Sequence, residues 1–265
     1  MTDAEHDFQQ RTRQIFDGVE YAPKPVLVIS DAEILALDGP DKASLVPMLG
    51  LGEPVSDQQR ALATEEAAQR LFDTGRTETG TPLGGPDSAD EEPTARTVLR
   101  LRRQWLSALL IDQNSGLGRQ FTAVYVRADR RALVEVTTHD GRHQFTAMKR
   151  AAALDAAAGL LNPLPDVADD DGKGRVYPVA TWQQDAQTLL GQAKIAASVI
   201  SLRHNKTMDR RAEDRFALYN FDDRSEILYA ESPERVRIAP ISRRTLRERL
   251  EEITSPLDAQ GADHE

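Results

Sequence analysis

Cysteine is absent from the 265 residues, so disulfides, thiolate nucleophiles, zinc ribbons and iron-sulfur ligand sets are excluded, and a reducing compartment is permitted. Aromatic residues supply only 5%, little raw material for an aromatic-lined ligand or nucleic-acid platform. Positive charge is also short. The 33 Lys and Arg stand against 43 Asp and Glu, and the formal charge of -10 repels a phosphate backbone. That charge disfavours a DNA-binding regulator. No apolar run is long enough to span a bilayer, and Met1 to Gln14 is polar where a signal peptide needs an apolar stretch. The expected location is the cytoplasm.

What remains is an ordinary folding composition, 40% hydrophobic and 29% charged, in a length that fits one large domain or two small ones. Residues 1–24 show no sustained periodicity and are expected to be a flexible segment, and 255–265 to be a disordered acidic tail, leaving 25–254 as the folded body. Two stretches rich in Gly, Pro and acid, Thr77 to Glu92 and Asn162 to Arg175, read as solvated loops that divide the body into three blocks.

In the first block a β-prone run, Pro25 to Ser30, precedes Ser30-Asp-Ala-Glu33, the spacing of a capping box, and the helix it opens stops at Gly39-Pro40. Ser56-Asp-Gln-Gln59 repeats the device before a helix with Leu62, Leu71 and Phe72. The middle block places Val98, Leu101 and Trp105 at helical spacing, then two β-rich runs, Phe121 to Arg127 and Leu133 to Thr138, with Asp140-Gly141 as a hairpin signal. A two-residue turn there sets His143 opposite Thr138 and His139 opposite Arg142, on opposite faces. A helix from about Arg150 ends at Asn162-Pro163. In the last block Thr181-Trp-Gln-Gln184 starts a helix read as continuing through Ile200. Three short strands follow, and Ser242 caps a closing helix with Leu246, Leu250 and Ile253.

The search for chemistry returns little. Gly50-Leu-Gly52 and Gly80 to Gly85 lack the Lys-Ser/Thr continuation of a phosphate loop, and Asp169-Asp-Asp-Gly172 puts Val167 and Pro178 where calcium ligands belong. The five histidines read as surface or structural groups, so no metal and no cofactor is expected. Arg96, Arg100, Arg102 and Arg103 form a basic stretch that reads as solvated. No nucleophile elbow occurs, and the surviving enzyme alternative is a hydrolase using two carboxylates in a cleft between the two halves. One feature points to a partner. Beyond Ala193, Ile195, Val199 and Leu202 fall at i, i+4 and i+7 beside the core stripe, so apolar residues nearly encircle the expected helix. Such a helix is either buried on both sides or offers a stripe to another helix.

The order of elements resembles the EspG family of actinobacterial type VII (ESX) secretion-associated chaperones. Three stretches carry it: Pro25 to Gly75, Phe121 to Leu161, and the run Arg215-Phe-Ala-Leu-Tyr-Asn-Phe221, Ile227-Leu-Tyr229 and Val236-Arg-Ile-Ala-Pro240 before the closing helix. The resemblance implies one α+β domain over 25–254, a central antiparallel β-sheet flanked by two helical bundles in quasi-twofold arrangement. It implies no catalysis, binding of a secreted helical PE/PPE-like heterodimer or related ESX substrate in the cytosol, and room for a weak homodimer. By position, the contacts it implies are Asn114 and Leu117 in the loop from Asp112 to Gly118, and Ile195, Val199 and Leu202.

Overall fold

The computed structural model describes residues 2–39, 45–47, 56–74, 94–116, 118–162, 174–204 and 211–255. In chain order the elements begin with α1 (Asp3–Ile15), β1 (Lys24–Ser30), α2 (Asp31–Asp38), α3 (Asp57–Thr74) and α4 (Thr94–Leu101). A run of strands follows, β2 (Ser107–Ser115), β3 (Gly118–Val126), β4 (Arg131–Thr137) and β5 (Arg142–Lys149), then α5 (Arg150–Leu161). The chain continues through β6 (Arg175–Pro178), α6 (Trp182–Leu190), β7 (Ile195–His204), β8 (Arg211–Asn220), β9 (Ser225–Ser232), β10 (Arg235–Pro240) and α7 (Arg243–Ile253). The mixture of helices with antiparallel strands is the fold class expected. The residues divide into two compact units, 1–105 with 121–150, and 106–120 with 151–265.

In the first unit β1, β5 and β4 pair antiparallel in that order, with β3 beyond β4. Helices α1 to α4 pack on one another, α2 against α3 and α4, α1 against α4. Both expected capping boxes form: Ser30 accepts from the Glu33 amide while Glu33 reaches back to the Ser30 amide, and Ser56 and Gln59 do the same. Gly39 ends α2 at φ 81°, a conformation that favours glycine.

The stretch expected to be flexible contains α1, capped by Thr2, with Phe8, Ile15, Phe16 and Val19 buried. Its spacing of 8, 12, 15, 16 and 19 is that of a one-sided helix, and the polar residues between supply the solvent face. On α3, Leu71 is buried, while Leu62 and Phe72 are exposed.

In the second unit the ladder runs β2, β7, β8, β9, β10, β6, antiparallel throughout. One face carries Leu109, Ile111, Val199, Phe216, Leu218 and Ile227, all buried. The last carbonyls of α7 are satisfied on that side, where Ser201 Oγ donates to Ile253 O at 2.5 Å and Ser107 Oγ to Thr254 O at 2.7 Å. Ser242 caps the start of α7 through the Thr245 amide, with Ile241 and Leu246 both buried.

One expectation fails here. Residues 195–204 are strand β7, not the continuation of α6, which stops at Leu190 ahead of Gly191. The spacing of Ile195, Val199 and Leu202 mimics a helical stripe. In a strand the first two share a face and Leu202 takes the other.

Candidate functional site

The site residues named from the sequence separate into two groups. Asn114 is exposed near the end of β2, opposite Ala196, and the next pair in the ladder is Ser115 with Ile195, which is half-buried. Asn114 and Ile195 therefore lie one register step apart at one end of the β2–β7 ladder, with their side chains on opposite faces of the sheet. Val199 and Leu202 lie about 13 and 23 Å further along β7, from the usual rise per strand residue. Val199 pairs with Ile111 and Phe216 at 0% exposure, and Leu202 pairs with Ala108 at 3%. Leu117 lies outside the described residues. The segment read as a loop, Asp112 to Gly118, is mostly strand, because Asp112 to Ser115 stay hydrogen-bonded to β7.

Around this end, Asp112 and Arg119 meet in two parallel contacts, Nε to Oδ1 at 2.9 Å and Nη2 to Oδ2 at 2.7 Å. Between them, Ser115 Oγ donates to Gly118 O at 3.4 Å, and Gly118 has φ 112°, where a side chain would be strained. Asn114, Gly116, Gly118 and Arg119 are all exposed.

Elsewhere in the same unit, α7, β9 and β10 line an open pocket of about 490 Å³ whose lining includes Ile227, Tyr229, Arg237, Ile241, Glu248 and Arg249. Arg249 lies over the rings of Tyr229 and Phe216, at 5.0 and 5.5 Å, and its Nε makes no hydrogen bond. Arg237 is paired with Glu231.

The first unit holds a different feature, missed in the sequence. Residues Thr138–Gly141 connect β4 and β5, with Gly141 at φ 73° and the Thr138 amide donating to Arg142 O, so His143 faces Thr137 rather than Thr138. The longer turn shifts the register by one residue, which reverses the face. His143 then joins Glu135 and Tyr125 on one side of the sheet, and α2 brings Asp31 to it. Nε2 is 2.5 Å from Asp31 Oδ1 and Nδ1 is 2.6 Å from Glu135 Oε1. Glu135 also accepts from Tyr125 OH at 2.6 Å and is 3.2 Å from Arg102 Nε. Arg102, read as solvated, is 5% exposed. Arg100 and Arg103 pair instead with Glu5 and Asp38.

The charges in this cluster hold one another. Burial alone disfavours the His143 imidazolium, but the hydrogen bonds to Asp31 and Glu135 outweigh it and raise the ring's pKa. Burial would likewise raise Glu135, yet the Arg102 charge and the His143 hydrogen bond bring it below the usual carboxylate value. Burial and the Glu135 charge push Tyr125 well above its ordinary pKa. With both ring nitrogens committed to carboxylates and His143 and Glu135 at 0% exposure, the cluster offers no free base and no access for a substrate. These two carboxylates thus cannot serve the hydrolase alternative. Among the described residues no group of three or more His, Asp or Glu is arranged to hold a metal ion.

The mixed fold of helices and antiparallel strands has a counterpart among solved structures. The chain matches the Mycobacterium tuberculosis type VII secretion system chaperone EspG5, solved in complex with the PE25-PPE41 dimer, at a TM-score of 0.51 and 10% identity. The match covers 87% of this chain and 97% of that one. At this identity the likeness is one of fold. No protein-family model and no curated protein matches the sequence. No helix among the described residues is long and apolar enough to cross a membrane.

Proposed function

We propose that the protein is a non-catalytic cytoplasmic chaperone or adaptor that binds a secreted helical client of the PE/PPE kind and keeps it soluble for type VII secretion. The observation that supports this reading is the fold shared over 87% of the chain with a chaperone solved on a PE25-PPE41 dimer. On this reading residues 25–254 act as one domain, a sheet flanked by two helical bundles in quasi-twofold arrangement. Asn114, Leu117 and Ile195 meet the client, while Val199 and Leu202 hold β7 in register behind them.

The physics of the task suits such a surface. A client with an apolar tip gains by losing water from it, and the polar side chain of Asn114 restricts which tip fits. Nucleic acid is not a partner, since the net charge is -10.

The test is co-expression with PE/PPE-type heterodimers from the same genome, followed by size-exclusion chromatography. One heterodimer should elute with the protein as a soluble complex of one copy each. If every such pair stays insoluble or elutes apart from it, the reading is wrong.

A further inference from the structure

Independently of the client reading, we infer that the pocket lined by α7, β9 and β10 binds the amino-terminal residue of a polypeptide, an α-ammonium with its adjoining carbonyl and an apolar side chain. The hollow comes from side-chain size. Residues paired directly across antiparallel strands share a face, and along one such row the side chains shrink from Leu218 to Ile227 to Ala239. Gly174 stands next to Ala239, where a Cβ would lie 2.6 Å from the Ala239 Cβ. The neighbouring row on the same face keeps its bulk, with Phe216, Tyr229, Arg237 and Val176. A recess is therefore left over Ala239 and Gly174, with Ile227 and Ile241 as apolar lining, and its volume of about 490 Å³ is that of a small-ligand pocket.

Helix α7 supplies the polar wall. Leu246, Leu250 and Ile253 turn into the core, while Thr245, Glu248, Arg249 and Glu252, at i, i+3, i+4 and i+7, form the stripe that lines the pocket. The Arg249 guanidinium is held over the rings of Tyr229 and Phe216, and among the described residues neither it nor Glu248 nor Glu252 has an ion pair. The Tyr229 hydroxyl has no hydrogen-bond partner among them either. Arg237 is already closed by Glu231. Two carboxylates against one guanidinium leave the wall with one negative charge, which repels a simple anion. A wholly apolar molecule would leave all three charged groups without partners. A peptide amino-terminus matches the whole set: its ammonium donates to Glu248 and Glu252, its first carbonyl accepts from Arg249, and its side chain fills the recess over Ala239. The remainder of the peptide leaves through the open side of the pocket.

The probes are L-leucinamide, which carries all three features, and N-acetyl-L-leucinamide, which lacks the charge. Each is titrated into the full-length protein at about pH 6.5, where an α-amino group of pKa about 7.7–8.0 is protonated, and the amides of Ile227, Ala239 and Glu252 are followed by NMR. L-Leucinamide should give saturating shifts at these positions with a Kd on the order of 10 mM, the range of so small a ligand. Acetylation should weaken binding at least about fivefold. The double variant Glu248→Gln with Glu252→Gln should do the same, and because both side chains are exposed its unfolding midpoint should move by less than about 2 °C. Ala239→Leu fills the recess and should remove the shifts. The inference is overturned by the absence of saturating shifts, by equal binding of the two probes, or by either variant binding as the wild type does. If Ala239→Leu fails to fold, the exposed glutamate pair decides alone.

Discussion

His143 Nε2 lies 2.5 Å from the Asp31 carboxylate, tying the first residue of α2 to β5 across 112 positions of sequence. The other ring nitrogen is held at 2.6 Å by Glu135 of β4, and Glu135 is braced by Arg102 and Tyr125. An imidazole between two ionised carboxylates donates to both when doubly protonated, the form that the raised His143 pKa favours. The packing of α2 on the sheet therefore depends on a buried positive charge.

That dependence has a sign. His143 has a folded pKa raised above the ordinary imidazole value of 6.5, so its contribution is full below that value and is lost as pH rises through the folded pKa. Glu135 has a folded pKa lowered from 4.5, so its contribution is present above 4.5 and is lost as pH falls through the folded value. Replacing His143 by Gln removes the cation between two buried carboxylates, of which Glu135 keeps Arg102, at a cost of about 3 kcal/mol. In urea titrations between about pH 5 and pH 9, the wild type should lose stability toward the alkaline end and the gap to His143→Gln should close there. A gap that stays constant over this range would show that the ring is not charged in the folded protein.

A second prediction concerns the approach of β6 to β10. A Cβ at Gly174 would stand 2.5 Å from Ile238 O and 2.6 Å from Ala239 Cβ, inside contact distance with backbone that is itself paired to β9. Neither neighbour is the loose end of a side chain, so Gly174→Ala must push the start of β6 away from β10. The expected loss is about 1–3 kcal/mol, with faster amide exchange at Arg175 and Ile238. Unchanged stability and exchange would mean that the close approach to β10 does not require a glycine at this position.

Which parts of this were legible in the sequence depends on how far apart the deciding residues are. Ser30 with Glu33, Ser56 with Gln59 and Ser242 ahead of α7 are local devices, and each forms as its spacing says. The strands of the two meanders follow from β-branched runs and turn residues, again local signals. β7 was misread because Ile195, Val199 and Leu202 fit a helical spacing by coincidence. The stop at Gly191 and the β-branched Ile195, Val199 and Ile200 were the contrary signals. The buried cluster could not be read at all. Its members come from α2, β3, β4, β5 and the end of α4, and one residue of register in the Thr138–Gly141 turn decides whether His143 faces Glu135 or turns away. Of the site, Asn114 and Ile195 share one end of the β2–β7 ladder among the described residues, on opposite faces of the sheet, a consequence of the pairing that no local signal shows.

The strand assignment reverses what a charge at Leu202 does. On a helix with a spare stripe, Leu202→Asp removes a contact with the client and leaves the monomer folded. On β7, Leu202 is 3% exposed and faces Ala108 and Glu213 across its two neighbours, so a carboxylate there loses its water and gains no partner of opposite charge from either. The penalty, about 4 kcal/mol or more, is a large fraction of the stability of an ordinary domain. Ile195→Asp at the other end of the strand places its charge at a half-buried position next to Ser115, where water still reaches. Leu202→Asp should therefore lower the urea midpoint sharply or abolish folding. Ile195→Asp should keep a native circular dichroism spectrum and weaken client binding about tenfold. The reverse pattern, a stable Leu202→Asp that no longer binds and an Ile195→Asp that binds normally, would move the client surface from the tip of β2 to the middle of β7.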